Sequence, residues 1–103
     1  MIRVSVMYPN TEGSTFDMAY YCESHVPLAR QKFGAALKGV VVEQGISGAA
    51  PGSPPPYLAL AHLLFESLEA FQTGFAAHAQ ALMDDIPKFT NTQPTIQISE
   101  VKI

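Results

Sequence analysis

YLALAHLLF, from Tyr57 to Phe65, is an apolar run broken only by His62. It follows a proline-rich stretch and ends just before Ser67, and it reads as a β-strand. Tyr57, Ala59, Ala61, Leu63 and Phe65 then share one face, and Leu58, Leu60, His62 and Leu64 share the other. An antiparallel strand with one wet face would alternate apolar and polar residues. This strand does not, so both of its faces call for cover.

The rest of the chain arranges itself around this strand. Upstream, SGAAPGSPPP (residues 47–56) excludes regular structure and reads as a mobile surface loop. Before it, LKGVVVEQGI predicts a strand over about Lys38 to Ile46. Downstream, Ser67 caps a helix whose stripe is Leu68, Phe71, Phe75, Ala79, Leu82 and Ile86, with Pro87 as its stop. PTIQISEVKI is then the last strand, with Ile96 and Ile98 on one face. At the start, Ile2, Val4, Val6 and Tyr8 alternate with Arg3, Ser5 and Met7, which predicts a strand closed by Pro9 and Asn10. Thr15 is the expected N-cap of a helix from Phe16 to about Ser24. Pro27 disfavours helical geometry at Val26, so a break is expected there, with a second helical piece from Pro27 to Phe33 and Gly34 as its stop. The order is β-α-β-β-α-β. That is a single ferredoxin-like α+β domain over residues 1–103, with a four-stranded antiparallel sheet.

Composition narrows the function classes. Charged residues make up 15% of the chain, against about 25% in typical domains. Net charge is −3 and the six Lys and Arg are scattered, which argues against nucleic-acid binding. No apolar run reaches the roughly 18 residues of a membrane span, and no charged start precedes a signal-like segment. A cytoplasmic location is expected, and the lone Cys22 fits a reducing compartment. The sparse charge and the doubly apolar third strand, together with Val40 to Val42, predict a homodimer packed sheet to sheet. Arg3, Ser5, Gln97 and Ser99 either face that space as a polar hollow or sit on a wet rim.

YYCESHVP, residues 20–27, carries the candidate chemistry. Asp17, Tyr21 and His25 are spaced four apart and fall along one side of a helix. His25 is then a candidate general acid/base, with Tyr21 orienting it. The alternative is structural: an imidazolium in the last turn meeting the helix C-terminus. Tyr8 and Tyr20 offer an apolar body with a polar tip and are candidate pocket residues; ordinary packing is the alternative for each. His62 is either a satisfied interior histidine or a cavity residue. His78 is expected to face solvent. Asp84 and Asp85 sit where carboxylates oppose the helix dipole, which calls for a partner, such as a hydrogen bond that ties down the next loop. No third ligand joins Cys22 and His25, no Zn, nucleophile-elbow or P-loop motif occurs, and neither a metal nor a cofactor is expected.

MYP after the first strand, FDMAYYCESHVPL from Phe16 to Leu28, LLFESLEAF and DDIPKFTNTQP from Asp84 to Pro94 together resemble the EthD family. Its signature is F-D, a Tyr pair, three residues, His, one residue, then Pro-Leu. The resemblance implies a dimeric α+β barrel and a site around His25. Asp85 and Phe89 match the family's D-I-x-x-F pattern, and Phe89 is placed to cover a cleft mouth. The family takes its name from a bacterial cluster that degrades ethyl tert-butyl ether. Related barrels include cofactor-independent monooxygenases, polyketide cyclases, muconolactone isomerases and haem-handling proteins. The resemblance therefore points to a hydrophobic small molecule bound or converted in a catabolic or polyketide-like pathway. A non-catalytic, stress-related binding dimer is the alternative, and haem handling through His25 or His62 is another.

Overall fold

The computed structural model describes all of residues 1–103. Four antiparallel strands, β1 (Ile2–Pro9), β2 (Gly39–Gln44), β3 (Tyr57–Phe65) and β4 (Thr95–Glu100), lie in the order β2-β3-β1-β4. The expected α+β fold is therefore present, with shorter β2 and β4 than the residue pattern suggests. The β2–β3 connection is tied down at several points. Asn10 donates through its backbone N–H to the Pro56 carbonyl and through Nδ2 to the Pro55 carbonyl, and Gly48 N–H donates to the Ser53 carbonyl.

Register decides the faces. Val6 pairs with Ala61 and Tyr8 with Ala59. The two alanines, each 1% exposed, leave room on the inner face for the large side chains beside them. That face carries Val4, Tyr8, Ala59, Ala61 and Phe65, all buried under the helices. Its far end is a phenylalanine-rich cluster of Val4, Ala29, Phe33, Phe65, Phe71 and Leu82. Its near end is a second cluster of Tyr8, Tyr21, Ala59, Ala61 and Phe89.

The first helical segment differs from expectation in three ways. Its N-cap is Asp17, not Thr15: the Asp17 side chain accepts the Tyr20 N–H at 3.0 Å. Thr15 is instead drawn to the far end of the chain, where its N–H donates to Asn91 and its carbonyl accepts the Thr90 hydroxyl. The chain also does not break at Val26, which is helical at φ −63°, ψ −45°. Instead α1 (Met18–Tyr20) passes through a π-helical turn, Tyr21–His25, into α2 (Val26–Phe33). Val26 N–H donates to the Tyr21 carbonyl, five residues back. Pro27 has no N–H to give, and its ring would strike the carbonyl four residues before it in a regular helix. The wider turn absorbs that conflict without ending the helix. Gly34, at φ +59°, stops α2 as expected.

The second helix, α3 (Leu68–Asp85), starts at the expected Ser67 cap, whose side chain accepts the Ala70 N–H. Phe71 and Leu82 of its stripe are buried, while Leu68 remains exposed. A 3-10 turn over Ile86–Lys88 follows, then a segment that crosses back to the start of the chain. Asp17 N–H donates to the Phe89 carbonyl at 2.7 Å, and Phe16 bridges Thr90. This clasp presses the end of α3 against the π turn.

Candidate functional site

The π turn, the end of α3 and β1 converge on His25. The residue is 8% exposed, and its Nδ1 lies 2.8 Å from Asp85 Oδ2. The other oxygen, Asp85 Oδ1, accepts the Tyr20 hydroxyl at 2.8 Å and has Lys88 Nζ at 3.7 Å. Burial pushes the Asp85 carboxyl up. The hydrogen bonds from His25 and Tyr20, with the charges of His25 and Lys88, outweigh burial and hold it below its ordinary value. Asp85 is therefore a carboxylate at neutral pH and can only accept. It follows that His25 Nδ1 carries a proton and donates it to Asp85, so that Nε2 is the nitrogen left to gain or lose one.

Tyr21 does not hydrogen-bond to His25. The two rings stack at 5.2 Å and 22°, because the widened turn lays one almost over the other. Asp85 is what orients the imidazole. This is a correction to the expected role of Tyr21 and to the loop-tying bond expected of Asp85. It also leaves less to the structural alternative, since His25 has a buried side-chain partner beyond the helix end. Tyr20 supports Asp85 from outside. Phe89 does not cover a cleft mouth. It is 3% exposed and packs against Tyr21 at 4.9 Å and His25 at 4.7 Å, as the hub of the aromatic cluster.

An apolar cavity of about 70 Å³ lies between the helices and the inner face of the sheet. His25, Tyr8 and Tyr21 stand in its wall among aliphatic and phenylalanine side chains such as Val6, Val26 and Phe75. Tyr20, Asp85 and Phe89 are outside that wall, and Asp85 stands behind the imidazole. Burial first, then the neighbouring Tyr21, holds the Tyr8 phenol far above its ordinary value. Burial likewise pushes Tyr21 up to about 12. Both are neutral hydroxyl groups at physiological pH.

His62 is not part of this site. It lies on the outer face of the sheet, where Nε2 meets Glu43 Oε1 and Nδ1 meets Ser5 Oγ, each at 3.0 Å. It therefore does not line the His25 pocket, because strand alternation points successive side chains to opposite faces. Both of its ring nitrogens have partners, on the half-buried outer face rather than in the interior. His78 is half-buried, not fully in solvent. Cys22 is exposed with its sulfur 3.7 Å from that of Met18, and no three His, Cys, Asp or Glu side chains come together as a metal site.

Sequence reasoning did not pair Asp85 with His25. The hints were a carboxylate placed against the helix dipole and the match of Asp85 to the family pattern. It also did not mark Thr92 and Gln93, which line an open groove next to the cavity.

Fold and site together define a small α+β protein with a carboxylate-oriented histidine at an apolar cavity. The chain belongs to the EthD family: residues 12–93 match the EthD domain. An EthD-like protein from Ralstonia eutropha JMP134 is 40% identical, superposes with a TM-score of 0.95, and the match covers 99% of this chain and 92% of that one. An EthD (ethyl tert-butyl ether) family protein from Bacillus halodurans C-125 is 21% identical, with a TM-score of 0.74 and 99% of each chain covered. HapK from Hahella chejuensis shares the fold at 11% identity and a TM-score of 0.63, over 99% of this chain and 93% of that one. No curated protein matches the sequence. No helix is long and apolar enough to cross a membrane.

Proposed function

We propose that this protein binds a hydrophobic small molecule in the cavity beside His25 and moves a proton on it. His25 Nε2 acts as general base and then as general acid. Asp85 fixes the tautomer and stabilises the imidazolium while the proton is held. One observation carries the reading: a 2.8 Å pair between buried His25 and buried Asp85 at the wall of an otherwise apolar cavity. A histidine kept only for packing gains little from a buried carboxylate, whose desolvation costs several kcal/mol in rough terms. A proton shuttle gains the orientation it needs. The step falls within the range of cofactor-independent oxygenases, cyclases and isomerases. The family's name links relatives to ethyl tert-butyl ether, and a cytoplasmic catabolic pathway for such apolar compounds is the setting we infer.

We also infer a homodimer through the outer sheet face. Met7, Leu58, Leu60 and Leu64 are only half-buried there, and Val41 is exposed. The inner face is covered by the helices except at Ile96 and Ile98 of the edge strand β4, so the outer face is the broader apolar surface left for a second copy.

The test for His25 is His25→Gln. The protein is incubated in D2O with apolar compounds carrying acidic C–H or O–H groups, including phenols, and turnover and deuterium uptake are followed by mass spectrometry. Turnover should fall about 100-fold or more, with unchanged circular dichroism. Wild-type turnover in the variant, or its unfolding at 25 °C (a condition of the assay, roughly room temperature), would count against the reading. Binding without turnover in the wild type would favour the non-catalytic alternative.

A further inference from the structure

Proton transfer by His25 leaves two buried phenols without a task. Tyr8 comes from β1 and Tyr21 from the π turn, and both stand in the cavity wall with His25. Tyr8 is 1% exposed, and the polar group beside its hydroxyl is that of Tyr21. Packing alone does not ask for hydroxyl groups here. Phenylalanine would fill nearly the same space without the cost of burying an O–H. Both are neutral phenols in the wall of one small volume, with their hydroxyl groups beside each other.

We propose that Tyr8 and Tyr21 hold the oxygen of a carbonyl group whose α-carbon proton is removed by His25, so that the substrate is a neutral, enolisable carbonyl compound. The assignment deepens the proton-transfer reading and depends on it. In the step, the α C–H bond breaks and the proton goes to His25 Nε2. The C–H electron pair becomes a C=C bond, and the carbonyl π pair moves onto oxygen, which accepts the phenol O–H groups. The proton then returns from Nε2 to the same carbon or to a conjugated one. Atoms and electrons balance without a co-reactant. Neutral donors placed where charge develops are a strong means of lowering such a barrier.

Size and charge narrow the substrate further. A cavity of about 70 Å³ is half or less of the roughly 150 Å³ that accommodates benzene. Only the reacting end fits. Met83, Ile86, Pro94 and Ile96 line this cavity and also an open groove of about 350 Å³. The other side of the groove is formed by Thr90, Asn91, Thr92 and Gln93, and no Lys or Arg lines it. Lys88 is already 3.7 Å from Asp85. The rest of the substrate lies in this groove, and a carboxylate or phosphate there would have no positive partner.

The test uses α-deuterium exchange of a series of neutral ketones, 2-butanone to 2-nonanone and 2-cyclohexenone, in D2O by NMR. Heptanoate serves as the anionic competitor. Wild type should accelerate exchange of at least one ketone, and His25→Gln should not. Tyr8→Phe should lower exchange about 100-fold with wild-type thermal unfolding, Tyr21→Phe should lower it too, and heptanoate should not compete. If both phenylalanine variants exchange like wild type while His25→Gln is dead, the phenol assignment falls and the base assignment stands. If no ketone exchanges, the carbonyl class is wrong, whatever the phenol panel shows for His25. Inhibition by heptanoate would overturn the neutral groove.

Discussion

Replacing Asp85 by asparagine tests the centre of the site with almost no change of shape. In the wild type the carboxylate accepts from His25 Nδ1 and from the Tyr20 hydroxyl, both at 2.8 Å. A hydrogen bond to a charged group contributes about 1.5–3 kcal/mol. Tyr20 is half-exposed and water can replace its bond, so the loss falls mainly on the buried His25 contact. Asparagine is cheaper to bury than a carboxylate, which offsets part of it. The expected loss is about 2 kcal/mol at pH 7, or roughly 8–16 °C in Tm for a domain of this size. The asparagine oxygen can still accept from Tyr20, but then its NH2 faces His25. The imidazole must answer with an unprotonated Nδ1, and the proton moves to Nε2. Long-range 1H–15N NMR should show Nδ1–H in the wild type and Nε2–H in the variant. The pH dependence has a definite sign. Asp85 is held below its unfolded value, so between the two values the unfolded chain binds the extra proton and stability rises with pH. The contribution is fully present above about pH 4 and is lost as pH falls through the folded value. Urea titrations between roughly pH 2 and 7 should show this acid-side loss in the wild type and less of it in Asp85→Asn. A variant within about 0.5 kcal/mol of wild type at pH 7, or an Nε2–H tautomer in the wild type, would refute the reasoning.

Phe89→Ala should cost about 3–5 kcal/mol, since the ring meets Tyr8, Phe16, Tyr21 and His25 with centroids between 4.7 and 5.7 Å; an m-value-matched urea titration with a loss under 1 kcal/mol, roughly the cost of an ordinary surface change, would contradict it. Gly74→Ala should destabilise the protein by about 1–3 kcal/mol despite alanine's better helix propensity. A Cβ there would come within 2.7 Å of Phe33 Cδ1, and the Phe33 ring is held by Phe65 at 5.0 Å and Phe71 at 6.1 Å. A rise in Tm would show that the ring gives way. Light scattering should report twice the 11.1 kDa chain mass, and Leu60→Asp should halve it; a monomeric wild type at micromolar concentration removes the dimer.

How much was legible depended on the range of the interaction. Alternation in β1 and β3 revealed the strands and the two sheet faces, and the Ser67 cap and the Phe71–Leu82 stripe revealed α3. These are local patterns of period two and 3.6, and the sheet and helix obey them. Pro27 was legible as a conflict but not in its resolution. The same proline can end a helix or widen one turn, and the choice was made by the packing of Tyr21 and His25 against Phe89. Thr15 lost its cap role for the same kind of reason, because Asn91 and Thr90 claimed its backbone groups.

By itself the sequence determined the β-α-β-β-α-β order, the apolar outer strand face, and the strip from Tyr20 to Pro27 as the place to look. Tertiary structure alone decided what that strip does. His25 and Asp85 are sixty residues apart, and no periodicity links positions on separate elements. The pair exists because Phe16, Asp17 and Thr15 clasp the segment after α3. That clasp brings a carboxylate, unfavourable at its own helix end, against an imidazole that gives it a partner. His62, which the residue pattern left as either a satisfied interior histidine or a cavity residue, lies on the face opposite His25 through the alternation of a single strand.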